Sequence, residues 1–570
     1  MSLRYILPIF LALVLAIILL VPRVRQMLQN LGKTKWLYLI TTGYVVWSSV
    51  FIYVTSYVAI DGNRYFNLFD DAMISMRYAW NFSHGNGLVW NKGEYIEGIT
   101  NLLQTLHMAF WTGILDKSTA ALMVQIIGIV IMLTIAYLTM RITTIIFERE
   151  SLEHKDFYSV LAYAICLTYY PLSYWTLYGM ETGLLGLLMI ASIFLVFRDV
   201  HKDVKITKLI PFLLGLAFIT RPDAVIPSAV ILLLKWYFDY REKDKTVLIK
   251  SALFDIVIVL GMVGLTSAFR VVYYGSVVPN TYALKAVGMP FDVKISNGLI
   301  FIRRFLTQIF IPTSLIVIYL FSKKRLYLLL LLMFVMSTVA YQIWVGGDAW
   351  PYWRMMAPTM PIFLILCLLS LDYIIKRIRP IFRLSDTNPM VHYYAILTVI
   401  VIFMVGFNFS FLTQIVFYNY PFDVDHSWSR INTAIALNDI ADPDATIAVT
   451  AAGTLPYYVE FRTLDILGKS DKYIASLLPD LTGEPGWMGM SSVPGHNKYD
   501  LEYTIIELQP AYTSGLKWGS NDVTSQASNY GVFRYKEDTL LILNTESPYI
   551  DWSKVEETNI SLDDPEINSG

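Results

Sequence analysis

Cysteine, histidine and charge are all scarce in this chain. Its 570 residues include 2 cysteines and 7 histidines, and 16% of them are charged. Cys166 and Cys367 both lie inside apolar runs, so they read as small core residues, not as a disulfide or a metal pair. No H-E-x-x-H and no Cys/His cluster occurs, which removes the usual zinc signatures. The absence of G-x-x-x-x-G-K-[ST] argues against ATP drive through a P-loop. A formal net charge of −1 excludes overall charge as a driver of nucleic-acid binding. No internal repeat of fixed period runs through the chain.

What is abundant is apolar sequence: 55% of residues are hydrophobic and the mean hydropathy is +0.51. Several runs approach or exceed the ~18–20 residues needed to span a bilayer. Candidate spans fall near 4–22, 36–58, 120–140, 157–170, 183–198, 208–220, 224–238, 251–270, 299–320, 326–345, 358–376 and 392–413. Ile6 to Val21 is long for a signal peptide and no A-x-A-like site follows, so it reads as a retained span. Basic clusters at Arg23–Lys35, Lys202–Lys208, Arg241–Lys245, Lys323–Arg325 and Lys376–Arg383 each follow an odd-numbered span. By the positive-inside rule that side is cytoplasmic. Both termini, and segments 59–119, 171–182, 271–298, 346–357 and everything after 413, are then expected on the outer face of the cell membrane.

From about Tyr418 the composition becomes that of a soluble domain. DATIAVTAAGTLPYYVEFRTLDILG reads as strand, turn, short helix and strand, YTIIELQP as a further strand, and GVFRYKE with TLLILN as a hairpin. The expected organisation is a membrane core over 1–413, an α/β domain over 414–555 and a free acidic tail over 556–570.

The outer segments carry the chemistry-bearing residues. FDDAMISMRYAW begins the most polar of them with Asp70 and Asp71. If Asp71 to Phe82 is helical, Asp70 is its N-cap. Asp70, Ile74 and Arg77 then form one stripe, and Asp71, Ser75 and Tyr78 the next. A capping role for the acids and a catalytic one both stand at this point. Glu94, Glu97 and Asn101 follow, and then LLQTLHMAFWTGI, which reads as a helix lying in the membrane interface. Arg221 and Asp223 interrupt an apolar stretch, and charges at membrane depth point to function by default, with mutual pairing as the plainer alternative. Asn280, Tyr282 and Lys285 lie in YYGSVVPNTYALKA; Asp348 and Arg354 lie in VGGDAWPYWRMMAP. Trp350 and Trp353 fit an interfacial belt. Acids and cations on one membrane face suit transfer of a sugar from a lipid-linked phosphate. That reaction needs a base for the acceptor hydroxyl and cations for the departing phosphate.

FDDAMISMRYAWNFSHGNGLVWNKGEYIEGITNLL resembles the signature of the GT-C membrane glycosyltransferases related to the terminal β-arabinofuranosyltransferases of mycobacterial cell-wall assembly. RPD at 221–223, VPNTYALK, GGD…R at 346–354, DILGKSDKYIA and PGHNKYDLEY extend the resemblance over most of the chain. It implies a GT-C-type transmembrane core of about twelve helices with a C-terminal extracytoplasmic domain. It also implies a polyprenyl-phosphate sugar donor, arabinofuranose or similar, a glycan acceptor, and metal-independent, cofactor-free, inverting transfer. Asp70 is the implied general base, with Asp71 as the reserve. Arg77, Arg221, Lys285 and Arg354 are implied phosphate or sugar contacts, and Tyr78, Glu94, Glu97, Asn101, Asp223, Asn280, Tyr282 and Asp348 line the implied substrate site. Lys469 departs from the pattern, standing where relatives often carry an apolar residue. Two alternatives are a lipid-linked glycan transporter, which would show repeats and mid-bilayer polar groups, and a non-catalytic assembly protein.

Overall fold

The computed structural model describes residues 32–202, 208–242, 245–378, 389–482, 489–536 and 539–564. The first half of the helical part comprises α1 (Lys33–Val54), α2 (Asp70–Ser83), α3 (Leu102–Thr112), α4 (Lys117–Arg149), α5 (Lys155–Thr168), α6 (Tyr170–Leu177) and α7 (Thr182–Lys202). The second half comprises α8 (Ile210–Thr220), α9 (Val225–Glu242), α10 (Lys245–Tyr274), α11 (Asn280–Ala286), α12 (Phe291–Lys323), α13 (Leu326–Val345), α14 (Met360–Ile378) and α15 (Pro389–Asn408). Among the described residues eight helices, α1, α4, α7, α10, α12, α13, α14 and α15, are long and apolar enough to cross a membrane. The spans expected at 157–170, 208–220 and 224–238 are the shorter or more charged helices α5, α8 and α9, which pack on α4, α10 and α13 respectively. The expected span at 4–22 lies outside the described residues.

Sequence hydropathy placed helix ends too far inward. The α12 helix runs 33 residues, which at 1.5 Å per residue is about 50 Å, well beyond a ~30 Å hydrocarbon layer. A helix of that length reaches past the layer on at least one side, and in its second turn Asn297 accepts from Ser491 N–H and donates to Ser492 of the C-terminal part. At the other end of the bundle Lys235 ties α9 to α10 through Asp255 at 2.6 Å and also reaches Asp239 at 3.3 Å.

The C-terminal part adds α16 (Val424–Ile440), α17 (Thr454–Tyr458), α18 (Lys472–Ser476) and strands β1 (Thr446–Val449), β2 (Arg462–Asp465), β3 (Tyr512–Thr513), β4 (Tyr530–Tyr535), β5 (Thr539–Asn544) and β6 (Glu556–Glu557). They form one sheet in the order β6-β4-β5-β3-β1-β2. The β1–β2 pair is parallel with Thr446 opposite Arg462, and β4–β5 is the expected antiparallel hairpin. YTIIELQP is not a strand: Glu502–Glu507 is one wide helical turn. The reason is that Leu501 and Ile505, four residues apart, bury together in a small core with Leu516 and Val523. The acidic tail also differs from expectation, because Glu556 and Glu557 pair with Arg534 and Phe533 and extend the sheet beyond residue 555. One apolar core runs without a break from the membrane helices through Phe69 and Tyr178 to Leu455 and Leu543. The C-terminal part is thus docked on the bundle.

Candidate active site

The connections between helices meet at one end of the bundle, beneath the C-terminal part. The α2 helix starts one residue earlier than its sequence reads: Phe69 is the N-cap, and Asp70 and Asp71 both lie in the first turn. Phe69 fixes this start by burying its ring edge-on against Trp175 and Trp350, with centroids 5.0 and 4.9 Å away. Successive helical residues point about 100° apart, so the two aspartates face different partners.

Asp70 faces the frame. Its Oδ1 accepts the Thr454 backbone N–H at 2.9 Å and lies 3.5 Å from Arg430, while its own N–H donates to Asp423 at 3.3 Å. The α17 backbone comes so close that a Cβ at Gly453 would meet the Asp70 carbonyl oxygen at 1.8 Å. Burial raises Asp423 to about 6, with Arg430 opposing and Asp70 adding to the rise.

Asp71 faces a charged recess. Lys469 Nζ donates to Oδ1 at 2.6 Å; Arg354 at 3.2 Å and Trp350 Nε1 at 2.8 Å both donate to Oδ2. The Asp71 and Lys469 side chains keep 16% and 13% of their surface exposed. Burial alone would raise the Asp71 carboxyl, but Lys469 and then Arg354 outweigh it and hold the group far below the usual range. Arg354 in turn forks onto Asp348 at 2.6 and 2.8 Å. The backbone is bent to deliver this pair. Gly346 and Gly347, with φ of 90° and 88°, turn the chain out of α13 to Asp348. Tyr352 and Trp353 hold left-handed φ values of 71° and 52° immediately before Arg354. Such non-glycine residues cost roughly 1–2 kcal/mol each; Trp175 donating to the Tyr352 carbonyl and Gln414 donating to its hydroxyl keep the segment in place.

Lys285, on α11, completes the recess. Among the described residues it has no hydrogen bond or ion-pair partner, and its stem lies along Gly495. Its side chain is accessible. Yet the recess is dense with protein, and this burial together with Arg354 pushes the ammonium down to about 8 against the pull of Asp348 and Asp71. Arg221 ion-pairs with Glu181 and reaches Asp223 at 3.0 Å, and Glu181 accepts from Asn101 at 3.1 Å. Glu181 and Arg354 also attract one another, so the two charged groups form one continuous field.

Other expected site residues bond to the surrounding protein. Arg77 spends its donors on the carbonyls of Trp90, Pro456 and Phe461 and on Asn91, stapling α2 to the C-terminal part. The Tyr78 hydroxyl donates to Ile96 and accepts from Gly98. Glu94 pairs with Arg462 at 2.8 Å, and Glu97 with Arg270 at 2.9 Å. Asn280 donates to the carbonyls of Gly468, Lys469 and Asp471 and so holds the turn that presents Lys469. Tyr282 is exposed on the same helix as Lys285. Sequence reasoning missed Lys469, Glu181, Trp350, Asp423 and Arg430 as site or frame residues. The one available signal was Lys469 in DILGKSD, which stands where the family pattern often carries an apolar residue.

A family model described as a domain of unknown function, DUF8728, matches residues 423–549, which cover α16 through β5. No curated protein matches the chain. Among solved structures the chain is similar to apo ArnT from Cupriavidus metallidurans, with TM-score 0.49, 11% identity, and coverage of 77% of this chain and 87% of that one. The same protein bound to undecaprenyl phosphate gives 0.47, 10%, 76% and 86%. The archaeal oligosaccharyltransferase AglB from Archaeoglobus fulgidus, in complex with an inhibitory peptide and a dolichol-phosphate, gives 0.46, 10%, 90% and 75%. Likenesses at this level bear on no single residue of this chain.

Proposed function

We propose that this protein is a GT-C-type membrane glycosyltransferase that moves a sugar, arabinofuranose or a similar one, from a polyprenyl-phosphate donor to a glycan on the extracytoplasmic face. The observation that carries the reading is the recess itself: an accessible, unpaired Lys285 beside Asp71, Lys469, Arg354 and Asp348, at the ends of membrane-type helices. The α10 helix packs on α8 and α9, and α12 on α13 and α14, with Lys285 in the connection between them. The donor's prenyl chain lies between α10 and α12 in this reading, and its phosphate lies on Lys285.

In the reaction the acceptor hydroxyl oxygen bonds to the anomeric carbon as the bond from that carbon to the phosphate oxygen breaks. The bonding pair leaves with the polyprenyl phosphate, and the hydroxyl proton goes to Asp71. Charge grows on the departing phosphate, where preorganised cations lower the barrier. Lys469 and Arg354, which hold Asp71 in the resting arrangement, turn toward that phosphate and free the carboxylate to act as base. Asp348 keeps Arg354 oriented. Asp223 and Tyr282 face the sugar hydroxyls. The proposal calls on no metal or cofactor.

The test uses the purified protein in nanodiscs with a panel of polyprenyl-phosphate sugars and glycan acceptors, reading release of polyprenyl phosphate by mass spectrometry. A positioned general base supplies about 10²–10⁴-fold, so Asp71→Asn is expected to lose that much turnover per folded molecule, with a lowered melting temperature because Lys469 and Arg354 lose their carboxylate partner. Asp70→Asn is expected to lower the melting temperature and leave turnover per folded molecule within a few-fold. Full turnover by Asp71→Asn would exclude it as the base.

A further inference from the structure

The loop that follows α18 presents an oddity unrelated to the charged recess. Leu478 is 80% exposed, although the chain on both sides of it is fastened. Lys498 Nζ donates to the carbonyls of Ala475, at 2.8 Å, and Ala283. Asp480 N–H donates to the Asn497 carbonyl at 2.7 Å, and the Asp480 carboxylate accepts from the Tyr499 hydroxyl. A large apolar side chain displayed on a fastened loop needs a partner to cover it, since apolar area left in water forgoes its transfer energy.

Its surroundings indicate which partner. Leu478 and Pro479 rest on Gly288, where an added Cβ would meet them at 3.1 and 3.2 Å. Gly288 belongs to the connection from α10 to α12, so Leu478 stands at the ends of two membrane-type helices. Along that connection Val277, Val287 and Phe291 are exposed, and Val272 on the last turn of α10 is 88% exposed. Phe291 packs on the exposed Trp344 with ring centroids 5.7 Å apart, and Lys294 lies over that tryptophan. Aromatic rings with a lysine at a helix end are the usual anchors at the headgroup level. Exposed apolar residues thus recur from α10 and α12 along their connection to Leu478 on the C-terminal part.

We propose that Leu478 is a membrane-inserted finger of the C-terminal part, buried at the lipid headgroup–acyl boundary beside Phe291 and Trp344. The bilayer is its partner whichever reaction the recess performs.

Cys166 and Cys367 are both buried, so an introduced surface cysteine can be labelled selectively. Leu478→Cys, carrying an environment-sensitive fluorophore, is reconstituted in phosphatidylcholine nanodiscs with and without a shallow doxyl-labelled phosphatidylcholine. Val272→Cys is the membrane reference and Glu546→Cys the water reference. Quenching at 478 that approaches the Val272 value is expected. Quenching no greater than at Glu546 would overturn the proposal, as would a 478 label shielded only by a second copy of the chain, seen as label–label energy transfer that persists in detergent. Because the variant can fail to fold, the unmodified protein is also cross-linked with a diazirine-bearing phosphatidylcholine. Adducts on the peptide spanning 472–482 support the insertion, and their absence alongside adducts on α10 counts against it.

Discussion

Replacing Lys469 by methionine removes one cation from the recess while keeping the stem. The parent contact is a 2.6 Å charge-assisted hydrogen bond to Asp71 between side chains that are 13% and 16% exposed. Stripping one partner from a fully buried ion pair costs about 3–5 kcal/mol, and a hydrogen bond to a charged group contributes about 1.5–3 kcal/mol. Asp71 retains Arg354 and Trp350, so folding loses less than the first figure; turnover loses the second, because in the proposed reaction Lys469 leaves Asp71 for the departing phosphate. Each 1.4 kcal/mol is tenfold, hence turnover should fall by about 10- to 150-fold if Lys469 steadies the departing phosphate. The pH dependence is more diagnostic than the size. Burial raises the Asp71 carboxyl and Lys469 is the largest influence drawing it down, so removing the lysine raises that carboxyl. A base must be unprotonated to act, so the acid limb of the turnover profile should move to higher pH. The assay is polyprenyl-phosphate release in nanodiscs, from the lowest pH at which the protein stays folded up to neutrality, for the parent, Lys469→Met, Asp71→Asn and the double variant. The double variant should resemble Asp71→Asn alone. An unmoved acid limb in folded Lys469→Met, or strictly additive losses in the double variant, would refute the coupling of this pair to the chemistry.

Lys285→Met should weaken binding of a polyprenyl monophosphate by about tenfold or more, as expected for a charge-assisted contact. Its melting temperature should hold or rise, because the lysine has no partner to lose; native mass spectrometry and a thermal melt check both. Gly453→Ala should sharply reduce folded yield, since its Cβ would meet the Asp70 carbonyl at 1.8 Å and overpacking already costs about 1–3 kcal/mol in softer surroundings. Asp423, raised to about 6 by burial, Arg430 opposing and Asp70 adding, binds its proton more tightly when folded than at its unfolded value near 3.9. Its contribution to stability is therefore present below about pH 4 and is lost as pH rises through 6. Melts across that window should show the fall, and Asp423→Asn should flatten it.

The helical bundle, the polar first connection and the hairpin were legible because each writes a local pattern: long apolar runs, turn residues, alternation. What was not legible depends on contacts far apart in sequence. Lys469 lies 398 residues from Asp71, and nothing local marks it as that acid's partner. Arg77 and Asn280 look like substrate ligands by residue type, but their donors are spent on backbone carbonyls of the C-terminal part. The Glu502–Glu507 turn was misread because a short apolar run fits a strand as well as a buried helical turn.

The choice between Asp70 and Asp71 turns on a single helical step. The family resemblance favours the first acid, as the one that opens the loop. Moving the helix start to Phe69 places both acids in the first turn, where about 100° of rotation separates them. One direction leads to the Thr454 amide, Arg430 and the close backbone of Gly453. These contacts fix how the C-terminal part sits on the bundle. The other leads to Lys469, Arg354 and the recess with Lys285. A carboxylate already committed to a backbone amide cannot take up a substrate proton without loosening the frame. One held by side-chain cations can, once those cations have another anion to meet. The paired acids thus divide the work: Asp70 docks the C-terminal part, and that docking brings Lys469 to Asp71.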